Sequence, residues 1–185
     1  MEKTRCSWCK GDSLYEKYHD EEWGKPVYDD ETLFEFLLLE SFQAGLSWIT
    51  ILCKRDYFRE AFDNFDYQKI ANYNQQKKDE LLLNPGIIRN KLKVNAAVSN
   101  AQAFIKIQEE FGSFSDYYWN FTAGKPIDNN PASMAEVPAS TPLSDAISKD
   151  LKKRGFKFVG STIMYAYMQA TGMVNDHFND CWTRT

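Results

Sequence analysis

An all-α fold is predicted for this chain by three observations. Apolar residues recur at helical spacing in five segments, no stretch alternates convincingly between apolar and polar, and four of the six prolines crowd into one connection. The first clear helix start is Asp30-Glu31-Thr32, which precedes Leu33, Phe34, Leu37 and Leu38 and places its acids at the positive end of the helix dipole. Further helices are read at residues 46–62, 91–111, 144–154 and 161–170. Between them, residues 122–142 hold Pro126, Pro131, Pro138 and Pro142 among small residues, the composition of a long surface connection.

With 185 residues, 43% of them hydrophobic, the chain has material for one well-buried core or for two small lobes sharing an interface. No charged-then-apolar leader opens it, and the most apolar stretch, residues 33–39, is interrupted by Glu35 and too short to cross a bilayer. A soluble, cytoplasmic protein with no membrane partner is expected, and nothing demands more than a monomer. The net charge of −4 does not argue for a nucleic-acid partner, but its distribution is uneven. Lys149, Lys152, Lys153, Arg154 and Lys157 face only Asp150, and Arg89, Lys91 and Lys93 form a second basic group. Such a run is either a solvated helix face or a binding patch.

Both histidines lie near cysteines, at opposite ends of the chain: Cys6 and His19 at one, His177 and Cys181 at the other. Four such ligands suit a closed tetrahedral Zn²⁺ site, and a His-x3-Cys spacing puts two ligands on one side of a helical turn. The competing reading makes the cysteines buried hydrophobes, with Cys9 as a rival for Cys6. Four cysteines in a reducing compartment favour thiols or metal ligands over disulfides. Cys53, in an apolar run, is expected in the core.

The segment Lys152-Lys153-Arg154-Gly155-Phe156-Lys157-Phe158-Val159-Gly160 reads as a helix end, a glycine-bounded turn and a new helix start. Gly155 is placed for a left-handed cap and Gly160 for close backbone approach. The free N–H groups of the helix that begins at Ser161 and Thr162 suit a phosphate. Either this grips a nucleic-acid backbone without regard to sequence, or it is a helical hairpin with a lysine-rich solvent face.

Five blocks, in order, resemble the type I DNA-3-methyladenine glycosylases: Tyr18-His19-Asp20 with Trp23-Gly24; Leu39-Glu40 with Gln43-Ala44-Gly45-Leu46-Ser47-Trp48-Ile49-Thr50; Gly86-Ile87-Ile88-Arg89; Lys153 to Gly160; and Val174-Asn175-Asp176-His177. The match spans nearly the whole chain. The resemblance implies the helix-hairpin-helix glycosylase fold over residues 1–185. At most this divides into one lobe of the terminal segments and one of the central and C-terminal helices carrying the hairpin at 151–172. It implies a structural zinc on Cys6, His19, His177 and Cys181, with Cys9 a bystander, and double-stranded DNA bearing a methylated base as partner. The hairpin residues Lys153, Gly155, Lys157, Gly160, Ser161 and Thr162 are then the grip on the DNA backbone.

Methylation at N3 makes the base cationic and its bond to the sugar labile, so the enzyme needs capture more than acid assistance. Aromatic faces and a carboxylate that accepts from the exocyclic amine supply it. By resemblance Glu40 is the recognition carboxylate, Tyr18 bonds the base edge, Trp48 and Trp8 stack, and Tyr15 and Trp23 line the same pocket. A carboxylate there is also expected to act as the catalytic group, placing negative charge near the sugar cation as it forms. The position where related glycosylases carry a catalytic aspartate holds Asn175, and Asp176, displaced by one residue, is expected to face elsewhere. The lyase lysine position holds Thr162, so the enzyme is expected to be monofunctional. The other readings are a zinc-stapled DNA-binding module without catalysis, and a glycosylase for a broader set of alkyl-purines.

Overall fold

The computed structural model describes residues 3–184. Its centre is helix α2 (Asp30–Gln43), in which every residue from Phe36 to Phe42 is buried. The Asp29 carboxylate caps its start by accepting from the Thr32 N–H at 2.8 Å. Helix α7 (Lys91–Phe111) and helix α10 (Ser161–Ala170) lie against it, both with the bounds their periodicity predicts. Phe34 and Phe104 meet edge to face at 5.1 Å between α2 and α7, and each such side chain removed from water contributes about 1.5–3 kcal/mol. A helix buried on so many sides normally carries no charge, yet Glu40 sits in its last turn with 3% of its surface exposed.

Around this centre are α1 (Ser13–Glu21), α3 (Trp48–Leu52), α4 (Arg55–Ala61), α5 (Tyr67–Ile70), α6 (Gln75–Leu83), α8 (Phe114–Asn120) and α9 (Pro142–Lys153). Asp12, Asn74, Asn90 and Ser113 each cap a helix through the side chain, and Thr141 and Ser144 form a reciprocal capping box around Pro142 at the first position of α9. Helices α1, α5, α6 and α8 escape a periodicity reading because they are short; α6 buries only Leu81.

The continuous helix expected at 46–62 is broken. Cys53 and Lys54 separate α3 from α4, and Lys54 Nζ donates to the carbonyls of Pro85 and Gly86 at 3.3 and 3.4 Å, a tertiary contact that periodicity cannot report. Cys53 lies at this corner and is exposed rather than in the core, because Ile51 and Leu52 take the inward face. The expected surface connection is also more structured than its composition suggests. A two-residue parallel bridge joins β1 (Ile127–Asp128) to β2 (Val174–Asn175), too short to register as alternation. It ties the connection to the C-terminal segment. No helix among the described residues is long and apolar enough to cross a membrane.

Candidate active site and metal centre

Helices α1 and α2, the turn before α3 and the C-terminal segment enclose a cavity lined by all six residues singled out in the sequence: Trp8, Tyr15, Tyr18, Trp23, Glu40 and Trp48. Trp8 packs edge to face on Tyr15 and on Trp23, each at 4.8 Å, while Tyr18 tilts against Trp48 at 5.5 Å. Edge-on packing among neighbours leaves ring faces for a planar guest.

Three buried side-chain polar atoms among the described residues have no hydrogen-bond partner: Glu40 Oε2, Gln43 Oε1 and Trp48 Nε1. All three belong to this cavity. An orphaned buried polar atom costs free energy that a fold normally avoids, so two acceptors and one donor converging on an aromatic cavity describe the complement of a ligand. Burial alone pushes the Glu40 carboxyl up to about 8. Burial, reinforced by Glu40, raises the Tyr18 phenol well above its usual range, keeping it neutral.

Gln43 is a residue the sequence reading passed over, although it stands three positions after Glu40 on the same helix face. Its Nε2 donates to the Leu46 carbonyl at 2.7 Å, which fixes the amide so that Oε1 is the free end. Met134 and Val137, from the proline-rich connection, also line the cavity.

Asp176 departs from expectation. Residues 174–177 are not helical, and the backbone of the short strand carries Asp176 to the cavity wall instead of away from it. Its carboxylate accepts from Asn129 Nδ2 at 2.7 Å, Tyr165 Oη at 2.6 Å and Gln169 Nε2 at 2.8 Å. A carboxylate held by three donors is fixed in place and orients Gln169, another wall residue.

Beside the cavity, Cys6, His19, His177 and Cys181 bring one ligand atom each to within 4.8 Å of one another, all buried, although a turn rather than a helix spaces the last two. The His–His distance is 3.2 Å, and the Cys–His distances are 3.4, 3.6 and 3.8 Å. A tetrahedron with Zn–N near 2.05 Å and Zn–S near 2.3 Å has N···N edges of about 3.3 Å and N···S edges of about 3.6 Å, so the four residues fit a zinc ion. His19 Nδ1 bonds Asp20 at 2.8 Å and His177 Nε2 bonds the Trp23 carbonyl at 2.9 Å, leaving one nitrogen of each ring for a metal. The Phe178 N–H donates to Cys6 Sγ at 3.3 Å, and Thr183 Oγ1 borders the cluster 2.8 Å from His177 Nδ1. Burial pushes the Cys6 thiol up to about 12, so a thiolate there calls for a cation. Cys9 is buried but outside the group, its thiol turned to the Cys6 carbonyl at 3.2 Å.

The hairpin lies between α9 and α10. Gly155, with φ +97°, closes a Schellman motif in which its N–H bonds the Lys152 carbonyl and the Phe156 N–H bonds that of Leu151, both at 3.0 Å. Lys153, Gly155, Lys157 and Thr162 are exposed, while Gly160 and Ser161 are half-buried. The Ser161 hydroxyl is occupied by Ser144 and Asp145, so at that residue only the backbone N–H is available to a phosphate. The second basic group loses a member, since Lys93 is buried.

Residues 8–185 match the family described as methyladenine glycosylase. The chain is 48% identical over 182 residues to the DNA-3-methyladenine glycosylase of Haemophilus influenzae, covering 98% of each. A crystal structure of a 3-methyladenine DNA glycosylase I superposes with a TM-score of 0.94 at 49% identity, covering 97% of this chain and 98% of that one. The Staphylococcus aureus enzyme, whose structure was solved for its recognition of 3-methyladenine, superposes at 0.95 with 38% identity, covering 98% and 96%.

Proposed function

Because this chain belongs to the methyladenine glycosylase family, we propose that its aromatic cavity holds a 3-methyladenine base flipped out of duplex DNA, with Glu40 as the carboxylate that reads and releases it. The chain removes 3-methyladenine from alkylated DNA in base excision repair, hydrolysing the N-glycosyl bond. The division of labour among its residues follows from the cavity's chemistry.

The observation that carries this reading is the set of three orphaned atoms. The two free acceptors, Glu40 Oε2 and Gln43 Oε1, suit the N–H groups of an exocyclic amine, and the Trp48 Nε1–H suits a ring nitrogen beside it. A purine with a carbonyl at that edge would bring oxygen against oxygen. Trp8, Tyr15, Tyr18, Trp23 and Trp48 then wall a cationic ring with aromatic surface.

As the bond from the sugar C1′ to N9 breaks, its electron pair neutralises the base. The positive charge moves to the sugar, and water adds to C1′ and sheds a proton to solvent. Burial alone raises the Glu40 carboxyl to about 8, and a cationic base seated beside it favours the ionised form. Glu40 therefore places negative charge beside the cation before and after this shift, and the barrier falls by electrostatic stabilisation rather than by strong general-base catalysis. Asn175 offers no base, and Thr162 stands where a Schiff-base lysine would be needed, which agrees with a monofunctional enzyme.

The hairpin, through Lys153, Gly155, Lys157, Gly160, Ser161 and Thr162, grips one strand's phosphates by side-chain charge and helix N–H groups. The four-ligand cluster binds one structural Zn²⁺, with no ligand position left for a water. The protein acts as a monomer and as one unit. Quantifying the bases released from methylated duplex DNA tests the reading: 3-methyladenine should dominate with adenine retained, whereas comparable release of 7-methylguanine would overturn it.

A further inference from the structure

Two buried polar side chains of α7 reach out of the core to hold two separate working parts. Lys93, with 6% of its surface exposed, donates from Nζ to the carbonyls of Phe42 at 2.7 Å and Ala44 at 2.6 Å. These are carbonyls at the end of α2 that lack helical partners, and an ammonium there also answers the helix dipole. The turn they anchor runs through Gly45, at φ +79°, and the exposed Leu46. It is flanked by Gln43 and Trp48, two of the three residues that carry orphaned atoms in the cavity.

Asn100, 3% exposed, holds the hairpin in the same manner. Its Oδ1 accepts from the Lys157 N–H at 2.8 Å and its Nδ2 donates to the Lys157 carbonyl at 3.0 Å. The next residue, Phe158, has φ +56°, a conformation that a bulky L-residue holds only when its surroundings impose it. Lys93 and Asn100 are seven positions apart, two helical turns on one face or about 10.5 Å along the axis. The Phe158 ring closes the gap between the two clamps, its centroid 5.9 Å from Lys93 Nζ.

We propose that α7 is the strut that sets the separation between the cavity rim and the DNA hairpin, with Lys93 and Asn100 as its positioning residues. The proposal rests on assigning the cavity to the flipped base and the hairpin to the DNA backbone. A base can enter the cavity only if the phosphates of the same strand are held at the matching distance. Helix α10 joins the hairpin to the Gln169 wall of the cavity, and α7 bonds the hairpin and the Gln43–Trp48 rim from one rigid element. Loosening the Asn100 clamp therefore costs registration on duplex DNA and leaves the cavity's affinity for a free base intact. Loosening Lys93 costs registration and also slackens the turn that carries Gln43 and Trp48, so free-base affinity falls in part with it.

The test compares Lys93→Met, Asn100→Leu and the double variant in the zinc-loaded protein. Three quantities are read: kcat and KM on duplex DNA containing 3-methyladenine, affinity for free 3-methyladenine, and Tm. Each single variant should lose about tenfold or more in kcat/KM on duplex; Asn100→Leu should bind the free base within about twofold of wild type, and Lys93→Met should lose several-fold less in free-base affinity than in duplex kcat/KM. The double variant should be little worse than the poorer single one, since a strut cut at one end is already cut. Lys93→Arg should recover part of the loss, and Asn100→Asp, which keeps the acceptor, should lose less than Asn100→Leu; these two carry the test if the first pair does not fold. Duplex activity that is unchanged, or that falls only in step with free-base affinity or Tm, would overturn the strut. A wild-type protein that binds no free 3-methyladenine would instead overturn the assignment of the cavity.

Discussion

His177 meets Trp23 twice: its Nε2 donates to the Trp23 carbonyl at 2.9 Å, and the two rings pack edge to face at 4.7 Å with an interplanar angle of 82°. Trp23 lines the cavity, so a residue of the four-ligand cluster supports a wall of the cavity directly. The cluster also joins residues 158 positions apart, His19 and His177, and so closes nearly the whole chain into a loop.

Removing the metal with a chelator, or making His177→Ala, should therefore lower Tm by roughly 10 °C, the scale of losing a native cross-link in a chain of this size. Base preference should survive at temperatures where the variant remains folded. Calorimetry alongside base-release profiles checks both; a selective loss of specificity at unchanged Tm would contradict a structural role.

Glu40 should make stability depend on pH. Its carboxyl lies at about 8 in the folded protein against 4.5 for the ordinary group, so between these values the folded state holds a proton that the unfolded state has lost. Stability contributed at this site therefore falls as pH rises from 4.5 to about 8. Glu40→Gln should be more stable than wild type by an amount that grows over that window, to on the order of a few kcal/mol. Denaturant titrations at pH 5 and pH 8 measure it, and a difference independent of pH would refute the assignment.

Lys153→Ala and Lys157→Ala should each weaken binding to DNA of any sequence and reduce the salt slope by about one. Binding of a duplex with a stable abasic analogue across a salt series reads both effects.

Gly172→Ala should be severely destabilising, by about 3 kcal/mol or more. Gly172 has φ +69°, and a Cβ there would lie 2.2 Å from the Lys25 carbonyl carbon and 2.3 Å from Pro26 N, both rigid backbone. The chain after Gly24 packs here against the end of α10, with the Val27 N–H bonded to the Thr171 carbonyl at 3.0 Å. Thermal melting of the variant checks the estimate.

What could be read ahead of the structure divides along physical lines. Helix α7 announces itself because one face is buried against α2 and the other meets water, the condition under which period 3.6 is visible. Helix α10, packed between α2 and α9 with Thr162 its one exposed residue, is legible from its apolar content after Gly160. Cysteine and histidine are rare enough in this chain that four of them near its two ends suggested a common site. Gln43, Lys93 and Asn100 were silent because their importance lies in which carbonyl or amide each one meets across the fold, and Lys93 read as one more surface charge. Asp176 was misplaced because a two-residue strand, set by pairing with Ile127 and Asp128, carries no local pattern.

The account stands most directly on Glu40. Single-turnover release of 3-methyladenine from duplex DNA should fall by at least about a hundredfold in Glu40→Gln, which keeps the shape but loses the charge, while affinity for the undamaged duplex stays near wild type. A Glu40→Gln protein that releases 3-methyladenine at the wild-type rate would contradict it.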